Sequence, residues 1–329
     1  MKIVIPDDYP SVYEGRADLA RLRTLGEVEH HTTRPSGPDE LRARLVGADA
    51  CINVRSYCIF DRALLDALPT LRMISILGTG TDNVDLAYAA ELGVVVTNTP
   101  GAAATSVAEF TIGLMFAVSR SIVLCDRRLR GGEWFHREGP ELRGKTLGLI
   151  GLGAIGSEVA RIGRGIGMRV IGWSFREDPE RAGRLGVELV ERDEVLRQAD
   201  VVSLHLRNSP QSAGIIGARE LGLMKQTAFL INTARGALVD QDALYEALRA
   251  GRIAGAGLDV FQVEPLPADS PLRGLDNVVL EPHLAAVTAE ANARVAKMPV
   301  DNIANWIDGK PTHVVNPAAL EHPRQKRHG

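Results

Sequence analysis

The sequence predicts an α/β protein made of two doubly wound parallel-sheet units. Three observations carry this. The chain has 329 residues, room for two domains at about 100–200 residues each. Its 33 glycines fall mostly after short apolar runs, as strand-to-helix turns do. Those runs are continuous rather than alternating, which marks strands buried on both faces, as in parallel sheets. Charged, helix-favouring stretches lie between them, so strand and helix alternate throughout.

Taken in order, KIVI (2–5), ACINV (50–54), RMISIL (72–77) and VVVT (94–97) read as strands, with helix-favouring stretches at 38–46 and 61–67. The rhythm tightens after residue 140. TLGLIG (146–151), RVIGW (169–173), ADVVSLHL (199–206), TAFLIN (227–232), IAGAGLDV (253–260) and NVVL (277–280) are strand candidates, and 154–167, 191–198, 217–224 and 241–250 are helix candidates. VAEFTIGLMFA (107–117) is apolar nearly all round and continues toward Leu129. Such a helix needs cover on several sides, either in a core or where domains or subunits meet. The closing NPAALEHPRQKRHG is polar and basic and reads as a frayed tail.

Composition narrows the function. Hydrophobic residues make up 45% and charged residues 24%, ordinary values for a globular protein. With 38 basic and 41 acidic side chains the net charge is −3, which excludes a strong non-specific grip on nucleic acid or anionic membrane. Cys51, Cys58 and Cys125 have no C-x-x-C spacing. They argue against a disulfide framework or structural zinc and suit a reducing compartment. No cluster with metal-ligand spacing is present. MKIVIPDDYP turns acidic too soon for a signal peptide, and no apolar run reaches the roughly 18 residues of a span. A cytoplasmic protein without membrane or nucleic-acid partners is expected.

The clearest chemical signal is Gly151-Leu152-Gly153-Ala154-Ile155-Gly156, which follows a strand-like run and opens a helix-like one. In that context G-x-G-x-x-G is a dinucleotide fingerprint. Gly151 permits the tight turn, Gly153 lets backbone approach a pyrophosphate, and Gly156 lets helix and strand pack closely. The N–H groups near Ala154 and Ile155 would face the anion. RVIGW should end at the residue that reads the adenosine ribose. An acid there accepts from a 2′-hydroxyl. This chain has Ser174 instead, with Arg176 two positions on. A small hydroxyl and a guanidinium favour NADP over NAD, although Glu177 and Asp178 follow at once.

Groups of three chemical types fall just past later strand ends. INTARG places Arg235 just past one strand end, GLDVFQVEP places Asp259 and Glu264 just past the next, and EPH places His283 after NVVL. Ligands of open α/β sheets sit beyond the carboxyl ends of the strands, so these groups should converge on one crevice.

With these motifs in place the chain resembles the D-isomer-specific 2-hydroxyacid dehydrogenases, which include phosphoglycerate, glyoxylate/hydroxypyruvate and D-lactate dehydrogenases. The stretches that carry the resemblance are VRS (54–56), GTGTDNVD (78–85), NTPGAAATSVAE (98–109), GLGAIG (151–156), LHL (204–206), INTARGALVD (231–240), GLDVFQVEP (257–265) and EPHLA (281–285). The resemblance implies hydride transfer between nicotinamide and C2 of a small 2-keto or D-2-hydroxy acid. Arg235 would bind the substrate carboxylate and keto oxygen, His283 would act as acid/base, and Glu264 would favour its imidazolium form. Asp259 would face the nicotinamide carboxamide. The turn Thr79-Gly80 would hold the carboxylate through backbone N–H groups, with Thr79 also near the nicotinamide. Leu206 and Thr233 would line the cofactor cleft, and Arg55, beside Ser56, would reach the substrate or sit on the domain rim.

The resemblance also implies a flavodoxin-like substrate domain (1–99 plus 288–329), a Rossmann-like cofactor domain (100–287), a cleft between them and a homodimer through 102–130. Arg207 stands where relatives often have Pro, either as an added phosphate contact or as an exposed side chain. Three rivals remain. One is a nucleotide-sensing corepressor with little turnover, which such a site does not exclude. Another is formate dehydrogenase, which has Gln where Glu264 stands. The third is a methyltransferase, in which the Arg/Glu/His set has no role.

Overall fold

The computed structural model describes residues 1–55 and 57–324. Ser56 and residues 325–329 of the tail lie outside the described residues. The chain divides into two compact units: Met1–Ala103 with the chain from Thr288 onward, and Ala104–Val287.

The first unit begins with β1 (Lys2–Ile5), α1 (Ala17–Leu25), β2 (Glu27–His30), α2 (Pro38–Leu45), β3 (Ala50–Val54), α3 (Arg62–Ala67), β4 (Met73–Leu77), α4 (Leu86–Glu91) and β5 (Val95–Thr97). The five strands are all parallel, in the order β2-β1-β3-β4-β5. Every residue of β3 and β4 is buried, which is why these strands are continuous apolar runs.

The second unit holds α5 (Ala104–Ser119), α6 (Ile122–Arg130), β6 (Thr146–Ile150), α7 (Ala154–Gly165), β7 (Arg169–Trp173), α8 (Pro179–Leu185), β8 (Glu188–Leu189), α9 (Arg192–Gln198), β9 (Val201–Leu204), α10 (Ala218–Leu223), β10 (Phe229–Asn232), α11 (Gln241–Arg249), β11 (Gly255–Leu258) and β12 (Val278–Leu280). Its seven parallel strands run β12-β11-β10-β9-β6-β7-β8. Strand order reverses between β6 and β9, so the switch point, where such sheets bind ligands, lies where Gly151 and His205 leave their strands. The chain then returns to the first unit as α12 (Ala289–Ile307), which packs Val295, Ala296 and Val300 into that unit's core.

Two expectations need correction. The apolar segment toward Leu129 is not one continuous helix: α5 and α6 meet at a 60° bend, where Ser121 takes a left-handed φ of 53°. The tail up to Arg324 is not frayed. Buried Asn316 donates through Nδ2 to the Val94 carbonyl (2.8 Å) and accepts the Val96 N–H (2.8 Å), and Arg324 donates to the carbonyls of Leu68 and Leu71. These bonds cross more than 200 positions of chain, beyond what local polarity can show. Among the described residues no single helix is long and apolar enough to cross a membrane.

Candidate active site

The glycine turn fits a dinucleotide. Gly151 has φ 108°, and a Cβ there would lie 2.7 Å from the His205 carbonyl, so only glycine suits both the turn and the strand crossing. At Gly156 a Cβ would meet the Gly151 carbonyl oxygen at 2.2 Å, so α7 packs directly on the turn. A Cβ at Gly153 would meet nothing within 4 Å. That open side lies at the N-cap of α7, where no side chain caps the helix, and its N–H groups and positive dipole end suit a pyrophosphate. Leu206 is half-buried beside this turn, its Cδ2 3.1 Å from the Cβ position at Gly151.

Ser174, one residue past β7, accepts the Leu152 N–H through Oγ at 2.7 Å. Arg176 is exposed. Arg207 is exposed as well, with its carbonyl held by the Ser212 hydroxyl.

Past the ends of β10, β11 and β12 the titratable groups do gather. His283 Nδ1 lies 2.7 Å from Glu264 Oε2. The other Glu264 oxygen accepts the Phe261 N–H at 3.0 Å. Burial pushes the Glu264 carboxyl up, but the His283 hydrogen bond and charge, the Phe261 amide and the charge of Arg235 outweigh it and hold it below the usual carboxylate range. Arg235 therefore shares the neighbourhood of the Glu264–His283 pair. Its backbone is set by Asn232, whose Nδ2 donates to the Arg235 carbonyl and whose Oδ1 accepts the Ala234 N–H. Next to it Gly236 sits against Phe261: a Cβ would fall 1.9 Å from the Phe261 carbonyl carbon. The Arg235 and Glu264 loops are thus in direct backbone contact. Thr233 is buried, its hydroxyl 2.8 Å from that of Thr111 on α5.

Asp259 works from inside. It is fully buried. Its carboxylate accepts the N–H groups of Leu284 (2.7 Å) and Ala285 (3.0 Å), and its carbonyl accepts that of His283 (2.9 Å). These bonds hold His283 in a left-handed conformation, φ 58°. Burial raises the Asp259 pKa to about 6, against the pull of these amides and of His283.

In the first unit, the turn after β4 is tied to the residues following β5. The Gly78 N–H donates to Thr99 Oγ1 (2.9 Å), Asn98 Nδ2 donates to the Thr79 carbonyl (2.8 Å), and the Thr79 hydroxyl lies 3.4 Å from the Thr99 carbonyl. The N–H groups of Thr79 and Gly80 have no backbone partner among the described residues. Arg55 has φ 55° and donates through Nη1 to the Pro10 carbonyl at 2.6 Å.

Residues 112–285 match the family model for the D-isomer specific 2-hydroxyacid dehydrogenase NAD-binding domain. The chain belongs to this family. A glyoxylate reductase of Aeropyrum pernix is 44% identical over 293 residues, covering 86% of this chain and 87% of that protein. A D-3-phosphoglycerate dehydrogenase of Archaeoglobus fulgidus is 41% identical over 98% of this chain, which spans 60% of that protein. Among solved structures, an acyclic imino acid reductase in complex with NADPH and D-Arg superposes with a TM-score of 0.87 at 31% identity, covering 96% of this chain and 100% of that one. This 2-hydroxyacid dehydrogenase is therefore an NAD(P)-dependent oxidoreductase of 2-keto and 2-hydroxy acids, and the corepressor reading is not favoured.

Sequence reasoning missed three neighbours of the dehydrogenase site. Arg181, on α8, donates through Nη1 to the Leu152 carbonyl at 3.2 Å; a lone arginine in a charged stretch gives no signal. His205 supplies the backbone under Gly151, and its ring lies 2.9 Å from Ser203 Oγ; burial pushes its pKa down to about 3, so the ring is neutral. Asn232, the last residue of β10, could have been found as a polar residue closing an apolar strand.

Proposed function

We propose that this dehydrogenase reduces a small 2-keto acid of the glyoxylate or hydroxypyruvate type to its 2-hydroxy acid, with NADPH as donor. The observation that carries the mechanism is the His283–Glu264 pair. With Nδ1 engaged by the carboxylate, Nε2 is the ring nitrogen left to give a proton to the keto oxygen, or to take it back from the alcohol. Glu264, kept ionised, holds the tautomer and stabilises imidazolium. The planar fork of Arg235 matches the substrate carboxylate and polarises the adjacent carbonyl. When bound, the nicotinamide supplies the hydride to C2, while the chain handles charge and protons.

In this reading the second unit, expected from the sequence at 100–287, is the cofactor domain: Gly151, Gly153, Ala154, Ile155 and Gly156 hold the pyrophosphate, Leu206 and Thr233 line the site, and Asp259 sets the His283 turn beside the nicotinamide. The first unit, expected from the sequence at 1–99 plus 288–329, is the substrate domain, and its Thr79 and Gly80 amides are suited to a carboxylate. Ser174 in place of an acid supports NADPH, and so does the NADPH named with the imino acid reductase. The substrate class is supported by the glyoxylate reductase relative, which the chain matches over most of both lengths. Arg55, occupied with Pro10, is a rim residue here.

The test is an oxidation panel of NADPH and NADH with glyoxylate, hydroxypyruvate, pyruvate, phenylpyruvate and 3-phosphohydroxypyruvate. The expected result is the highest kcat/KM with NADPH and one of the first two acids. A clear preference for the phosphorylated acid overturns the substrate assignment.

A further inference from the structure

We propose that Arg181 selects the phosphorylated adenosine ribose, closing an anion pocket with Ser174 where β7 ends. This rests on the NADPH reading above.

Leu152, inside the glycine turn, is gripped on both of its backbone polar groups. Its N–H donates to Ser174 Oγ (2.7 Å), and its carbonyl accepts from Arg181 Nη1 (3.2 Å). One residue thus brings the hydroxyl and the guanidinium together at the edge of the dinucleotide turn. The Ser174 oxygen spends a lone pair on Leu152, so its own hydrogen remains to be donated outward. A phosphate oxygen accepts such a hydrogen, whereas a carboxylate at this position would only repel the phosphate.

Of the two acids that follow, Glu177 is exposed and Asp178 is consumed locally. Asp178 Oδ1 accepts the Arg181 backbone N–H (2.9 Å), and Oδ2 pairs with Arg181 Nε (3.3 Å). The same pair fixes the guanidinium. Nε and one Nη1 hydrogen are engaged, which leaves both Nη2 hydrogens and the second Nη1 hydrogen for two oxygens of one phosphate. At 46% side-chain exposure, Arg181 is anchored yet reachable. Arg176, nearer in sequence, is exposed and makes no hydrogen bond or ion pair among the described residues, so nothing pre-positions it.

The experiment compares KM for NADPH and NADH in the wild type and in Arg181→Met, Arg181→Lys and Arg176→Ala, with 2′,5′-ADP and 5′-ADP as competitive inhibitors. Wild type should prefer NADPH and bind 2′,5′-ADP more tightly. Arg181→Met should raise the NADPH/NADH ratio of KM values by about tenfold or more, the scale of one charge-assisted hydrogen bond, and should erase the inhibitor difference. Arg181→Lys should restore part of it, and Arg176→Ala should change the ratio less than Arg181→Met. Equal losses toward both cofactors in Arg181→Met and Arg181→Lys would make Arg181 a structural clip and overturn the proposal. So would a larger effect at Arg176, or an unchanged ratio. A wild type that prefers NADH overturns the cofactor reading itself, a result separate from any variant's behaviour.

Discussion

His283 is held by two independent constraints. Its backbone sits in the left-handed region, costly for a residue with a Cβ and sustained only where surrounding bonds over-determine it; here three amides on Asp259 do so. Its ring is fixed by Glu264. Replacing His283 by Ala removes the proton donor but leaves the glycine turn untouched. Turnover should fall by about 10²–10⁴-fold, the usual worth of a general acid/base, while NADPH affinity, read by fluorescence titration, stays close to wild type. Retained wild-type turnover would take His283 out of the mechanism. At the other end of the cofactor, Ser174→Asp places a negative charge against the 2′-phosphate. The kcat/KM ratio of NADPH to NADH should drop by about tenfold or more, because juxtaposed like charges cost on the kcal/mol scale. An unaltered ratio would show that position 174 does not meet the phosphate.

The turn beneath His283 has its own pH signature. Unfolded, the Asp259 carboxyl loses its proton near its ordinary value of 3.8; folded, it keeps the proton to about 6. Between those values the folded chain binds more protons, so this group's contribution to stability falls as pH rises, by up to about 3 kcal/mol over the window. Groups held low, such as Glu264 and Asp200, act in the opposite sense and gain stability as they ionise. The difference between wild type and Asp259→Asn isolates the one group: urea unfolding between about pH 4 and pH 7 should show a variant less stable at the acid end, with the gap narrowing toward neutrality. A gap independent of pH would mean Asp259 does not titrate in this range. How well elements could be read from sequence follows the same logic of burial. ACINV and VVSL are legible because both sheet faces cover them. EVEH of β2 and the two residues of β8 are edge strands with little buried surface, and their polar sequences carry no period. The short helices α1 and α8, rich in charged residues, are illegible for the same reason. Nothing at Arg120-Ser121, neither Gly nor Pro, announces the bend between α5 and α6. Within the site, Arg235, Glu264 and His283 were legible as chemically distinct groups after strands, whereas Arg181 depends on a contact to a turn 29 positions away.

At the scale of the whole molecule the remaining question is what covers α6. Packing against β10, β11 and α7 accounts for α5, which is buried along most of its length. The apolar 107–117 stretch is thus satisfied within the unit, and the exposed apolar residues lie on α6 and in the loop after it. There Ile122, Val123, Leu129 and Trp134 stand 54%, 47%, 56% and 81% exposed. Apolar side chains gathered on one surface mark an interaction site. The arginines beside them are already spent within the chain: Arg127 and Arg128 pair with Asp276, and Arg130 pairs with Asp126. We propose that a second copy of this chain covers the face, burying the apolar residues inside a rim of internally neutralised charge, as homodimer interfaces do. Sedimentation at micromolar concentration should give a dimer. Because both residues are exposed, Ile122→Asp with Leu129→Asp should cost the monomer little while splitting the dimer, with the circular dichroism spectrum unchanged. A wild type that sediments as a monomer, or a double variant that remains a dimer, would move the interface elsewhere or remove it.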